Sequence, residues 1–290
     1  MTGRSTLAHA KVNLVLEVGG RRGDGYHEID TVLQEVELAD RVTLSWGTFE
    51  GIRVTGPFAA GTPADDSNLA WRAAAGLGER CGAAVTGLGI EIDKRIPAAG
   101  GLGGGASDAA AVLRLLASEW DAEEDKLWDV ANAIGSDEAF FLNGGTARAT
   151  GRGEQVAPLP SLPGHDVVLF IPPDTLERKT ARLFDAMDTL PIEPMTAAGA
   201  FARIAPREVT TADVCNSFER VARRVFPRLA ALWSEIEDRC ETPIHLAGAG
   251  PTLFWIGPSG AGAHVAGLAE GAACQVVATA TIAPARRSHG

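Results

Sequence analysis

Between Leu7 and Val18 the chain reads LAHAKVNLVLEV, and from Lys11 onward it alternates. Val12, Leu14, Leu16 and Val18 fall on one face at a period of two, which predicts a strand. Lys11, Asn13, Val15 and Glu17 share the other face, so a lysine and an asparagine two apart can reach one ligand. Gly19–Gly25 is a loop running into Tyr26-His27. Ile29–Leu44 predicts one or two strands with a break near Ala39-Asp40, and Ile52–Val54 a further short one. A helix over Leu69–Cys81 opens at Asn68, after a loop of Gly, Pro, Ala and Asp. Gly87–Ile96 alternates again and predicts a strand leading into PAAGGLGGGASD, Pro97–Asp108. Helices follow over Ala109–Ala117, with Ser107 and Asp108 at its start, and over Glu123–Ala133, whose acidic first turn suits the helix dipole. Asn143-Gly144-Gly145 signals a turn, and Thr146–Thr150 a strand.

Val156–Gly164 (VAPLPSLPG) carries three prolines and reads as a linker. Beyond it come a buried-type strand (Asp166–Ile171), helices over Thr180–Leu190, Phe218–Arg224 and Arg228–Arg239, and a final strand over Gln275–Ile282. Ile244–Leu246 and Leu253–Ile256 flank a second glycine turn at Gly248–Thr252. Alternating strands and helices in this half predict a small sheet with helices on one face. The expectation is an α+β chain of two domains, 1–157 and 158–290.

The glycine run is the feature hardest to explain as ordinary structure, because glycine loses the most backbone entropy on folding. A glycine loop feeding a helix N-terminus gathers N–H groups and the positive end of a dipole, which suits a phosphate. Three loop types compete. A P-loop needs a lysine where Ala106 stands, so that reading fails. Gly101, Gly103 and Ala106 partly meet the dinucleotide fingerprint, but the acidic residues at Asp121–Asp125 lead into a helix rather than ending a strand.

The third type rests on resemblance. PAAGGLGGGASDAAA is similar to the second motif of the GHMP kinases, P-x-x-x-G-L-G-[GS]-[GS]-[AS]-[AS]. AHAKVNLVLEVGGRRGDGYHEIDTVL resembles their first motif and AGAGPTLF their third, in the right order. The A-K-x-N-L and R-x-D-G-Y-H form of the first motif is narrower. With IGSDEAFFLNGGTARATGRGE and CNSFERVARRVFP, it resembles the branch acting on 4-diphosphocytidyl-2-C-methyl-D-erythritol in the non-mevalonate isoprenoid pathway.

That resemblance implies an N-terminal domain like ribosomal protein S5 domain 2 and a ferredoxin-like C-terminal domain, with transfer of the γ-phosphate of ATP to a tertiary hydroxyl in the presence of Mg²⁺. It implies Asp137 as general base with Lys11 as its partner. A positioned carboxylate can take the hydroxyl proton, and a lysine keeps that carboxylate ionised and offsets charge on the moving phosphoryl group. It also implies a cytosine pocket of Tyr26, His27 and Phe184, substrate contacts at Asn13 and Thr180, and adenosine contacts at Asn68 and Lys94. The ATP cradle is Pro97, Ala98, Ala99, Gly100, Gly101, Leu102, Gly103, Gly104, Gly105, Ala106 and Ser107, with Ser107 also toward the metal. Three positions depart from the family pattern. Glu138-Ala139 follows Asp137 where Val-Pro is usual, AGAGPT stands for SGSGPT, and His9 replaces a proline.

The rivals are a homoserine or mevalonate kinase, which has no base to stack on Tyr26-His27 and Phe184, a nucleotide-binding protein without chemistry, and a dinucleotide-dependent oxidoreductase. Composition narrows the partners. The 290 residues carry a net charge of −11, which disfavours nucleic acid and anionic membranes but not a phosphorylated small molecule. Four separate cysteines without metal spacing, no signal peptide and no apolar run long enough to span a bilayer predict a cytoplasmic protein, with monomer and homodimer both open.

Overall fold

The alternation at the N-terminus extends further than its apolar positions indicate. In the computed structural model, which describes residues 3–162, 164–174, 176–204 and 208–282, β1 runs Arg4–Arg21. Its second face is not solvated: Lys11, Asn13 and Glu17 are buried along with Leu14 and Leu16. Glu17 earns that burial as a helix cap, its carboxylate accepting the N–H groups of Thr196, Ala197 and Ala198.

β2 (His27–Trp46) is one unbroken strand. The expected break at Asp40 does not occur because that carboxylate is fully buried and accepts the backbone N–H groups of Arg95 and Ile96. β3 (Gly51–Thr55), α1 (Leu69–Cys81), β4 (Leu88–Asp93), α2 (Gly104–Trp120), α3 (Glu124–Ile134), α4 (Glu138–Asn143) and β5 (Thr146–Gly151) follow. β6 (Gln155–Pro158) occupies the start of the expected linker and pairs antiparallel with β5, so Pro158 ends an edge strand. Pro163 of that linker lies outside the described residues. The chain continues through β7 (His165–Ile171), α5 (Lys179–Met187), α6 (Ala197–Ile204), β8 (Cys215–Asn216), α7 (Glu219–Val225), α8 (Pro227–Cys240), β9 (His245–Leu246), β10 (Leu253–Pro258), α9 (Gly262–Leu268) and β11 (Gln275–Ala280).

The residues group into two compact units that interleave along the chain, whereas the expected domains are consecutive. The first unit comprises residues 1–10, 38–98 and 103–143. Here the C-terminal part of β2 pairs antiparallel with β4, which pairs parallel with β3. Helices α1 to α4 complete this unit. The alanines of α1 and α2 (Ala70, Ala73, Ala74, Ala109, Ala110, Ala111) are fully buried, and small side chains of this kind allow close helix packing.

The second unit comprises residues 11–37, 99–102 and 144–290. In it the N-terminal part of β2 pairs with β5, β1 pairs parallel with β8, and a separate antiparallel sheet runs β11-β7-β10-β9. Alternate residues of β7 (Val168, Phe170) and β10 (Leu253, Trp255) enter one core with Leu183, Val221, Leu229, Trp233 and Ile236 of the helices. Trp233 keeps its indole N–H satisfied inside that core by donating to Ile244 O at 2.8 Å.

Candidate active site

Within the second unit two glycine turns meet. Gly101 has φ +88°, and a Cβ there would stand 2.0 Å from Ala247 O. No residue but glycine fits, for reasons of both space and conformation. Thr252 N–H donates to Gly100 O at 3.2 Å, and the turn from Ala247 to Thr252 closes on itself through Ala247 N–H to Thr252 O. Asn216 of β8, buried, donates to both Leu246 O and Gly248 O at 2.8 Å. Lys179, at the start of α5, donates to Gly250 O. The CNSFER stretch therefore matters because one asparagine in it braces the second glycine turn.

Lys11 and Asn13 lie against this junction. Lys11 N–H donates to Leu102 O at 2.9 Å, and a Cβ on Gly248 would be 3.4 Å from both Lys11 Nζ and Asn13 Oδ1. Lys11 Nζ donates to Asn13 Oδ1 at 2.8 Å, Asn13 Nδ2 to Thr31 Oγ1 at 2.8 Å, and Thr31 to Val15 O at 2.6 Å. That relay fixes which way the asparagine amide faces. Thr31 carried no signal in the sequence, because a lone threonine on a strand is ordinary.

A second cluster of the same unit holds His27 and Phe184, whose rings stack with centroids 4.5 Å apart and planes 12° from parallel. Phe218 meets Phe184 edge-on at 5.0 Å. His27 Nε2 lies 2.7 Å from Asp188 Oδ1, so the imidazole is oriented from behind. Tyr26 is 55% exposed, with Arg152 over its ring at 5.0 Å. Beside His27 and Asp188 opens a pocket of about 280 Å³ that Arg21 and Arg220 also line. Thr180 is exposed in the first turn of α5. Asp188 was not identifiable beforehand, since acidic residues near a helix end are common.

Most of the remaining residues singled out by the sequence belong to the first unit. Helix α2 begins at Gly104, inside the glycine run, rather than at Ala109; its N-cap is Gly103, at φ 74°. Ser107 and Asp108 are thus helical residues, not caps, and Ser107 N–H already donates to Gly103 O. The leading N–H groups of α2 are those of Gly104, Gly105 and Ala106, and only Gly105 is exposed. Such a helix start attracts an anion. Pro97 is buried, Ala98 half-buried, and Ala99 exposed with φ +54°. Asn68 caps α1, accepting from Ala70 N–H at 2.9 Å while donating to Pro63 O at 2.7 Å.

Lys94 is 2% exposed and its ammonium sits between Asp40 and Asp108, the latter at 2.7 Å. Burial alone would lower its pKa, but the charges of Asp108 and Asp40 outweigh that and raise it. Burial pushes Asp108 up to about 8, against the pull of Lys94, and its Oδ1 has no hydrogen-bond partner. Two carboxylates around one ammonium leave an excess negative charge, which a proton on Asp108 removes. Asp137 is half-buried immediately before α4, its carbonyl accepting Phe141 N–H. Lys11 belongs to the second unit and Asp137 to the first. Among the described residues no three His, Cys, Asp or Glu side chains gather as a metal site.

With this geometry in place, the likenesses to known proteins are consistent along the chain. Residues 68–145 match the GHMP kinases N terminal domain. A 4-diphosphocytidyl-2-C-methyl-D-erythritol kinase of Shouchella clausii is 37% identical over 259 residues, 87% of this chain and 85% of that protein. A protein of the same name from Saccharopolyspora erythraea is 38% identical over 261 residues, 85% and 80% of the two chains. The crystal structure of a 4-(cytidine 5'-diphospho)-2C-methyl-D-erythritol kinase matches with TM-score 0.74 at 34% identity, over 96% of this chain and 99% of the other.

Proposed function

Because the chain belongs to the 4-diphosphocytidyl-2-C-methyl-D-erythritol kinases of the GHMP family, we propose that it transfers the γ-phosphate of ATP to the 2-hydroxyl of 4-diphosphocytidyl-2-C-methyl-D-erythritol. What carries this reading is likeness to kinases of that name over most of both chains. The braced glycine junction beside Lys11 supports the phosphoryl end, and the His27–Phe184–Asp188 cluster the cytosine end.

In this reading Asp137 accepts the hydroxyl proton as the new phosphorus–oxygen bond forms. Lys11, held by Asn13, acts as its partner by offsetting charge on the moving phosphoryl group. Residues Pro97 to Ser107 cradle the nucleotide phosphates, with the first N–H groups of α2 pointing at them. Asn68 and Lys94 serve the adenosine end as positioning residues, one capping α1 and the other pinned between Asp40 and Asp108. Tyr26 offers an open ring face to the cytosine, while His27, turned by Asp188 and backed by Phe184, reads its edge. Asn13 and Thr180 contact the substrate.

The scarcity of clustered carboxylates fits a cation carried mainly by phosphate oxygens and water, the usual habit of Mg²⁺. Ser107 would be its protein contact, and the ion would neutralise phosphate charge. The reading keeps residues 1–157 as the ATP-binding domain and 158–290 as the C-terminal GHMP domain, in a cytoplasmic monomer or homodimer. No helix among the described residues is long and apolar enough to cross a membrane.

ADP release measured with diphosphocytidyl-methylerythritol, mevalonate and homoserine tests the substrate. Turnover of the first alone is expected, and equal turnover of all three would remove the assignment.

A further inference from the structure

The turn that carries Asp137 departs in sequence from the family pattern. A proline two residues after the aspartate would fix a φ angle beside the base, but this chain has Glu138-Ala139 in place of Val-Pro. Glu138 is 2% exposed, an uncommon place for an acid without a direct ion pair. Its side chain folds back over Gly135: a Cβ built there would lie 2.4 and 2.7 Å from the two carboxylate oxygens. The backbone N–H groups of Glu138 and Asp137 face the carboxylate, and Arg72 of α1 adds a positive charge. Arg114 of α2 donates to Phe141 O, in α4. The carboxylate therefore closes the stretch from Gly135 to Glu138 into a loop around itself, with Asp137 inside it.

We propose that Glu138 is the positioning residue for Asp137: its carboxylate, seated over Gly135, holds by hydrogen bonding the turn that a proline ring holds elsewhere in the family. Glycine at position 135 is then part of the same device, since any side chain there would displace the carboxylate. This explains why the replacement of Val-Pro comes with an acid rather than another apolar residue. It rests on the reading of Asp137 as the general base.

The test compares Glu138→Ala, Gly135→Ala and the double variant Glu138→Val/Ala139→Pro with the parent and with Asp137→Asn. Proline at position 139 falls in the first turn of α4, where helices tolerate it. Steady-state kcat and both KM values are measured at a temperature where each variant's circular dichroism matches the parent. A misplaced base of this kind lowers kcat by about 10- to 100-fold. That loss is expected for Glu138→Ala and Gly135→Ala, with the KM for ATP within about twofold. The double variant should recover most of the parent kcat, which a general loss of stability would not allow. Full kcat in Glu138→Ala, or no recovery in the double variant, overturns the proposal. Asp137→Asn separates the two readings. If it is active, the base assignment fails; if it is inactive while Glu138→Ala is fully active, only the positioning role fails. Should Glu138→Ala not fold, Gly135→Ala and the double variant decide.

Discussion

At the scale of single residues, the chemistry divides between groups whose type was informative and groups whose surroundings are. Lys11 and Asp137 are ordinary charges by composition, and their places in motifs single them out. Asp137→Asn removes the proton acceptor while keeping shape, so turnover should fall by at least about 10²-fold. ATP binding, followed by calorimetry, should stay within about threefold; retained turnover would exclude the base role. Tyr26 is exposed, with Arg152 over its ring. Tyr26→Ala should therefore raise the substrate KM by about 5- to 100-fold through lost stacking worth about 1–3 kcal/mol, and leave the KM for ATP unchanged. An unaltered substrate KM would take Tyr26 out of the pocket. Thr31 and Asp188 could not be found the same way, and the motifs that contain Asn216 and Glu138 gave no role for them, because each acts through a long-range hydrogen bond or a fold-back that no spacing encodes.

At the scale of elements, periodicity placed most strands and helices but misjudged polar residues inside them. Asp40 reads as a strand breaker only until Arg95 and Ile96 bring their N–H groups to it. Glycines at 104 and 105 read as loop, yet they form the first turn of α2, where tertiary packing overrides their poor intrinsic propensity. The stretch after Val156 reads as a linker, although its first proline, Pro158, lies at the end of an edge strand. Among the short elements β3, β9 and α7 were legible, whereas α6, β8 and α9 were not, since segments of two to eight residues carry little period. The glycine junction belongs to this scale. Gly101→Ala forces a methyl group to 2.0 Å from Ala247 O, and backbone cannot yield cheaply. The variant should lose several kcal/mol, on the order of 2–5, seen as a fall in urea midpoint. A neutral effect would mean the two turns are not in contact.

At the scale of the whole molecule, buried acids couple stability to pH. Burial holds Glu138 at about 7, above the ordinary 4.5, with the neighbouring Asp137 charge adding to the rise. Between those values the folded chain keeps a proton that the unfolded chain has released, so stability falls as pH rises through that window. Glu138→Gln cannot titrate. Relative to the parent it should gain stability from pH 5 to pH 8, by about 3 kcal/mol at most. Urea unfolding at both pH values measures this, and a pH-independent difference would contradict it. Alternation placed most strands and the family resemblance implied the α+β class, whereas the interleaving of the two units along the chain was legible in neither. Local pattern reports which face of a segment is apolar, not which distant segment covers it.

The chain has only four lysines, Lys11, Lys94, Lys126 and Lys179. The ion cluster at Lys94 turns one of them into a reporter. An amine enclosed by Asp40 and Asp108 and 2% exposed cannot meet an acylating reagent while the fold is closed. Its modification rate, read peptide by peptide in a mass spectrometer, should therefore follow the opening of the first unit. Half-buried Lys126 in α3 of that unit serves as the internal reference.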